Sequence, residues 1–193
     1  MDLVCANMLS INFMVSARFI AYGITGLLVF SVPDRFGRKW TLAITNFIMV
    51  VAQLLMIFVP TYEARFVGFV LFGVAMLKQS LPYVYIAEVV PPSNVASTSV
   101  TMTSFDLSVL MIFNLYLLLI SRSWFPIALT MTILSTIAFI YSVIFIPESP
   151  VWLLSQGRVD EAIDSFNQIA KINGVSARIP KGTNFQDAAD LTH

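Results

Sequence analysis

Five long apolar runs separated by short polar links dominate this chain of 193 residues. They cover residues 12–33, 41–59, 66–89, 99–120 and 124–146. Each is close to the roughly 20 mostly apolar residues that carry a helix across the hydrocarbon core of a bilayer. In lipid a chain must satisfy its own backbone hydrogen bonds, which leaves helices or a closed barrel. Barrel strands would be about half as long and alternate in polarity. The links at residues 60–65, 91–94 and 121–123 are short. The pattern therefore predicts an all-α membrane protein, an antiparallel bundle of five transmembrane helices.

Composition agrees. The chain is 58% hydrophobic and 11% charged, with a mean hydropathy of +0.82, whereas a soluble domain is about one quarter charged. There is too little polar surface to cover a water-soluble globule. Net charge is zero and no basic patch points to nucleic acid. Cys5 is the sole cysteine and His193 the sole histidine. A disulfide within the chain and a histidine-based metal site or proton relay are therefore not expected. With no phosphate-binding glycine loop, nucleophile elbow or cluster of metal ligands, neither enzyme activity nor a cofactor is expected. The start, Met1-Asp2-Leu3-Val4, lacks the basic region of a signal peptide and the Arg-rich character of a transit peptide. Insertion is expected to rely on internal spans, and the sequence leaves the membrane open between the mitochondrial inner membrane and the plasma membrane.

Lysine and arginine set the predicted orientation. The loop Asp34-Arg35-Phe36-Gly37-Arg38-Lys39 and the C-terminal tail together hold Arg35, Arg38, Lys39, Arg158, Lys171, Arg178 and Lys181, and the opposite side holds Arg65 and Arg122. Seven against two places the C-terminus on the cytoplasmic or matrix side. Four regions result: an N-terminal segment at 1–11, the bundle at 12–146, a helical segment at 147–174 on the inner face, and a polar tail at 175–193. In the third region Ser149 can cap a helix whose first position suits Pro150, and Gly157 can end it. A second, amphipathic helix follows from about Val159, with Ala162, Ile163, Phe166, Ile169 and Ala170 on one face and Gly174 as its stop. This helix can lie on the bundle or on the lipid interface. The tail beyond Ser176 shows no periodicity and is expected to be disordered unless a partner holds it.

Three stretches together resemble one family. Asp2-Leu3-Val4-Cys5 precedes the first span and the Asp34 loop follows it. Pro147-Glu148-Ser149-Pro150, Trp152-Leu153-Leu154, Gly157-Arg158, Glu161-Ala162 and Ala170-Lys171-Ile172-Asn173-Gly174 follow the fifth. In this order and spacing they are similar to the organic cation, organic anion and carnitine transporters of the major facilitator superfamily, with sugar porters second. The resemblance covers residues 2 to about 174. It implies a truncated N-terminal half: the end of the first extracellular loop, helices two to six and the start of the central cytoplasmic loop. A complete member carries two six-span halves. If residues 1–193 are the whole protein, it is not a complete transporter. The resemblance also implies that Cys5, which in the family bonds a cysteine of the large ectodomain loop, is here a free thiol or bonds another chain.

The family assigns the Asp34 loop (Asp34, Arg35, Gly37, Arg38, Lys39) to charge contacts that hold the cytoplasmic gate; otherwise it is a topology anchor. Glu148 is implied to pair with arginines near the inner helix ends, Arg38 or Arg35 here, and Arg158 lies on the same face. Phe30 stands where the family has a glycine for close helix contact, and Val95 and Val151 stand where it has arginines. These departures favour the anchor. Inside the spans, Arg18, Lys78, Glu88 and Asp106 are ionisable and so are functional candidates. Lys78, Gln79, Glu88, Asp106 and Asn114 are candidate cavity or partner contacts, with a Lys78–Asp106 pair across adjacent helices expected, while Arg18, Glu88 and Asp106 stand near enough to span ends to snorkel. The expected function is that of a transporter-derived accessory or structural subunit of a larger membrane complex, for example a mitochondrial respiratory-type assembly, with lipid and other membrane subunits as partners. The alternative is half of a split organic-ion transporter, binding a small organic ion only with a complementary half.

Overall fold

A computed structural model describes residues 8–29, 31–176 and 178–182. Cys5, Phe30 and His193 lie outside the described residues. The chain divides between Ile146 and Pro147 into two compact units.

Every described element of the first unit is a helix. Helix α1 spans Met8–Val29, a short α2 spans Val32–Phe36, α3 spans Arg38–Phe58, and α4 spans Tyr62–Ala75. A single 3₁₀ turn, Met76–Gln79, leads into α5, Leu81–Val89; α6 spans Pro92–Leu119 and α7 spans Phe125–Ile144. The five expected spans are therefore all helical, with shifted ends. The second starts three residues earlier than expected, and α6 starts at Pro92, so Val95 sits in a first turn rather than in a loop. Four helical stretches among the described residues are long and apolar enough to cross a membrane: Arg38–Phe58, Tyr62–Val89, Pro92–Leu119 and Phe125–Ile144.

The third span is not continuous, as the apolar run suggested. Pro82 explains the break. In an unbroken helix its nitrogen would donate to the Lys78 carbonyl, but proline has no N–H and its ring clashes there. The chain tightens to 3₁₀ over Met76–Gln79 and restarts at Leu81.

Helix α4 organises the unit, packing against α1 on one side and α3 on the other, and α3 packs on α7. Glycines allow the close crossings. A Cβ at Gly73 would stand 2.3 Å from the Arg18 carbonyl oxygen of α1, and one at Gly68 would stand 2.8 Å from Met56 Cγ of α3. Small residues let backbones meet in this way where lipid supplies no hydrophobic drive. Buried hydroxyls bond their own helix: Thr25 to the Ala21 carbonyl at 2.6 Å, Thr41 to Gly37 at 2.7 Å and Thr132 to Ala128 at 2.9 Å. Helix α6 differs from the other helices of membrane length. None of its 28 residues is buried, and its main packing neighbour is α5.

The second unit holds α8, Pro150–Ser155, and α9, Val159–Ile172. Ser149 caps α8, its Oγ accepting from the Trp152 amide at 3.3 Å. Gly157 (φ 74°) and Gly174 (φ 72°) end the two helices in the left-handed region. After each, a residue bonds back across the turn: Arg158 to Leu153 at 3.0 Å and Val175 to Ala170 at 2.8 Å, the Schellman pattern. Trp152 and Leu153 of α8 pack with Ala162 of α9, while Asp160, Glu161, Asp164 and Gln168 stay exposed. Residues 178–182 fold back on α9. Asn167 brackets the Ile179 backbone, donating to its carbonyl at 3.0 Å and accepting from its amide at 2.8 Å. Lys181 pairs with Asp164 at 2.9 Å.

Candidate functional site

Two places in the first unit and one in the second collect the candidate residues. The first is the Asp34 loop. Pro33 sits in the first turn of α2, and Gly37 (φ 95°) turns the chain into α3 with a backbone conformation that other residues avoid. This places Arg38 at the head of α3. Its Nε and Nη2 donate to Glu88 Oε1 at 3.0 and 2.8 Å, its Nη1 donates to the Pro33 carbonyl at 2.9 Å, and Nη2 stands 2.9 Å from Asp34 Oδ1. The Arg38 and Glu88 side chains are 12% and 14% exposed, against 63% for Asp34. Arg35 is exposed, and the Lys39 ammonium lies 5.9 Å from the centre of the Trp40 ring. Glu88, a candidate cavity or partner contact by sequence, thus belongs to this cluster and does not line the cavity described next. The partners are 50 residues apart, and nothing in the sequence pairs them.

The second place is a cavity of about 1450 Å³ walled by α3, α4, α5, α6, α7 and the 3₁₀ turn. Lys78 and Gln79 reach it from the break in the third span, and Asp106 from α6. The three share a wall, but Lys78 and Asp106 form no ion pair with each other or with any other described residue. The expected Lys78–Asp106 bridge is not made. Asp106 also stands 14 residues from the start of α6 and 13 from its end, and Arg18 stands mid-way along α1. Neither is placed to snorkel. The Arg18 guanidinium instead lies over Phe19 and Phe72, 4.6 and 5.4 Å from the ring centres, with Nε unbonded. Asn114 lies outside the cavity and donates to the Leu110 carbonyl of its own helix at 2.8 Å.

The cavity also contains polar groups that sequence reasoning missed. Asn46 and Gln53 of α3 both line it, and the buried Oε1 of Gln53 has no hydrogen-bond partner. Their spacing of seven residues, two helical turns, was the available signal. Arg65 lines it as well, and its Nε donates to the Val59 carbonyl at 3.4 Å.

In the second unit, the ion pair of Arg158 is with Glu161, through both carboxylate oxygens. The hydrogen bonds from Arg158 to Glu161 raise its pKa, and the charge of Glu148 adds to this at longer range. Glu148 itself accepts from the Ser149 amide at 3.0 Å, and its carbonyl accepts from Ser165 Oγ at 2.5 Å. Among the described residues no group of three or more His, Cys, Asp and Glu side chains is placed to hold a metal.

Comparison with known proteins places these features. The sequence profile of the family described as "Sugar (and other) transporter" matches residues 6–190. The chain is 31% identical over 183 residues to organic cation/carnitine transporter 2 of Mus musculus, an alignment covering 91% of this chain and 32% of that protein. It is 28% identical over 180 residues to solute carrier family 22 member 2 of Rattus norvegicus, covering 92% and 32%. It is 33% identical over 139 residues to monosaccharide-sensing protein 2 of Arabidopsis thaliana, covering 68% and 19%. The chain thus spans about a third of the length of its organic cation/carnitine transporter relatives. Long apolar helices and transporter relatives together make it an integral membrane protein. The chain belongs to the sugar (and other) transporter family of the major facilitator superfamily, with organic cation/carnitine transporters among its relatives.

Proposed function

We propose that this chain is a transporter-derived membrane subunit that works only alongside other membrane chains, as an accessory or structural part of a larger complex. The observation that carries this reading is α6, a 28-residue apolar helix with no buried residue and with Asp106, which forms no ion pair with any described residue, at its middle. Ionisable groups at that depth face a bundle interior, a wet cavity or a partner, because lipid does not solvate them. Val95 and Val151 point the same way. They replace the cations that the family's gate would pair in one state and release in another.

Two observations favour a second reading, half of a split organic-ion transporter. The Arg38–Glu88–Asp34 cluster is fully assembled, and the third span breaks at Lys78 beside the cavity. Carriers build their sites from discontinuous helices near the bilayer midplane. On this reading the substrate is a small organic ion, as the names of the organic cation/carnitine relatives suggest, and a complementary chain supplies the rest of the site. In both readings the Asp34 loop faces the cytoplasm or the mitochondrial matrix.

Native electrophoresis of the source membrane in mild detergent, with mass spectrometry of what migrates with the chain, tests the proposal. Co-migration at fixed stoichiometry with a large complex, such as a respiratory-type assembly, supports the accessory role. Co-migration with a second transporter-like chain selects the split transporter, and uptake assays with organic cations and carnitine then follow. A chain that migrates alone overturns both.

A further inference from the structure

The head of α3 carries two cations and two aromatic rings outside the Arg38–Glu88 bridge. Arg35, in the last turn of α2, is exposed and forms no ion pair with any described residue. Lys39 follows in the first turn of α3, and its ammonium lies 5.9 Å from the centre of the Trp40 ring. Trp40 is 55% exposed and Phe36 67%. Asp34, the one acid of the stretch 34–39, stands 2.9 Å from Arg38.

Depth decides what these groups meet. Helix α3 has 21 residues, about 31 Å at 1.5 Å per residue, which matches the ~30 Å hydrocarbon core of a bilayer. Its first turn therefore stands where lipid tails give way to headgroups. An exposed ring at that level faces lipid, and tryptophan suits the layer because its body is apolar and its N–H can be wet. The contact with the Trp40 ring keeps the Lys39 ammonium at the same level. Arg35 belongs to the link between α1 and α3, so it stands at this level or on its water side.

Charge then selects among headgroups. A zwitterionic headgroup brings an ammonium along with its phosphate, and two cations repel that ammonium. An anionic headgroup brings net negative charge, which each nearby lysine or arginine attracts. Arg38 cannot serve in this way, because Glu88 and Asp34 already hold it. We propose that Arg35 and Lys39, flanked by Phe36 and Trp40, bind the headgroup of an anionic phospholipid in the leaflet that the Asp34 loop faces. The rings pack on the upper part of the tails, and the two cations take the phosphate.

Trp40 is the reporter for the test. The full chain with Trp124→Phe and Trp152→Phe keeps Trp40 alone of its three tryptophans. It is placed in nanodiscs of phosphatidylcholine and phosphatidylglycerol, with brominated tails on one lipid or the other to quench indole fluorescence on contact. At equal mole fraction, brominated phosphatidylglycerol should quench Trp40 more than brominated phosphatidylcholine does. Each cation should contribute up to about fivefold to this local preference. Arg35→Gln with Lys39→Gln should remove the preference, and Arg35→Lys should retain it. If the double variant unfolds, Arg35→Gln alone, at an exposed position, decides the matter by lowering the preference or leaving it unchanged. A chain whose only tryptophan is Trp124, beyond the far end of α6, should show a weaker preference. Equal quenching by the two lipids, a preference that survives both glutamines, or an equal preference at Trp124 overturns the proposal. Loss of the preference in excess inorganic phosphate at constant ionic strength also overturns it, by assigning the two cations to a soluble anion.

Discussion

Arg38 gathers three oxygens at the head of α3, and they are not equal. Glu88 takes two of its hydrogen bonds, and both side chains are nearly enclosed, whereas Asp34 is largely exposed. Breaking an enclosed pair leaves an uncompensated charge, at about 3–5 kcal/mol. An exposed pair is worth about 1 kcal/mol or less. Glu88→Gln should therefore cost about 3 kcal/mol of stability and Asp34→Asn less than about 1 kcal/mol, read as thermal unfolding in detergent. Equal losses from the two variants would show that the loop, rather than the α3–α5 bridge, holds this end. The sequence marked Asp34 and Arg38 by their place in a charged loop between spans. It did not mark Glu88 as their partner, because hydropathy and local spacing carry no information about pairing between helices. Lys78 and Asp106 show the converse. Their types and depths made a bridge chemically reasonable, but the separation of α6 leaves the two unpaired.

At the scale of elements, helix existence was legible because an apolar run of about 20 residues leaves the backbone few choices in lipid. The break at Met76–Gln79 was not, since apolar content does not distinguish an α-helix from a 3₁₀ turn; Pro82 was the clue. The α1–α4 crossing was equally hidden, although Gly73 makes it possible. Gly73→Val should force α1 from α4 against a backbone carbonyl and cost about 3 kcal/mol, the upper end for overpacking, measured by unfolding in detergent. Gly23→Val, where an added Cβ meets nothing within 4 Å, is the control and should show no such loss. In the second unit both helix stops were readable from glycine, but the fold-back of residues 178–182 depends on Asn167, a residue ordinary in any amphipathic helix. Asn167→Ala should release Ile179 and speed tryptic cleavage after Arg178 severalfold. Alkali should act in the same direction. The hydrogen bond and charge of Asp164 raise the Lys181 pKa. Such a group contributes fully below the unfolded lysine value and is lost as pH rises through the higher folded value. A probe near residue 182 should therefore report loosening only above the ordinary lysine range, and Lys181→Met should remove that step.

The whole first unit has a topology that can be tested with two residues. Arg38 and Glu88 meet, so α3 begins and α5 ends at the same end of the bundle. The stretch from Tyr62 to Val89 therefore returns across the full height in spite of its break, and α6 must lead to the opposite end. Three crossings then separate Arg35 from Arg122, and the two lie on opposite faces of the membrane. The lysine and arginine bias assigns Arg35 to the cytoplasmic or matrix face. In a background with Cys5→Ser, the other variants being Arg35→Cys and Arg122→Cys, an impermeant maleimide applied to sealed membranes of known sidedness should reach residue 122 from outside. It should reach residue 35 only after the inner face is opened. Reversed labelling would overturn the orientation but keep the fold. Labelling of both from one side would mean that one of the three stretches does not cross. Helix α6 would then be the first element to reconsider, since among the described helices of membrane length it alone has no buried residue.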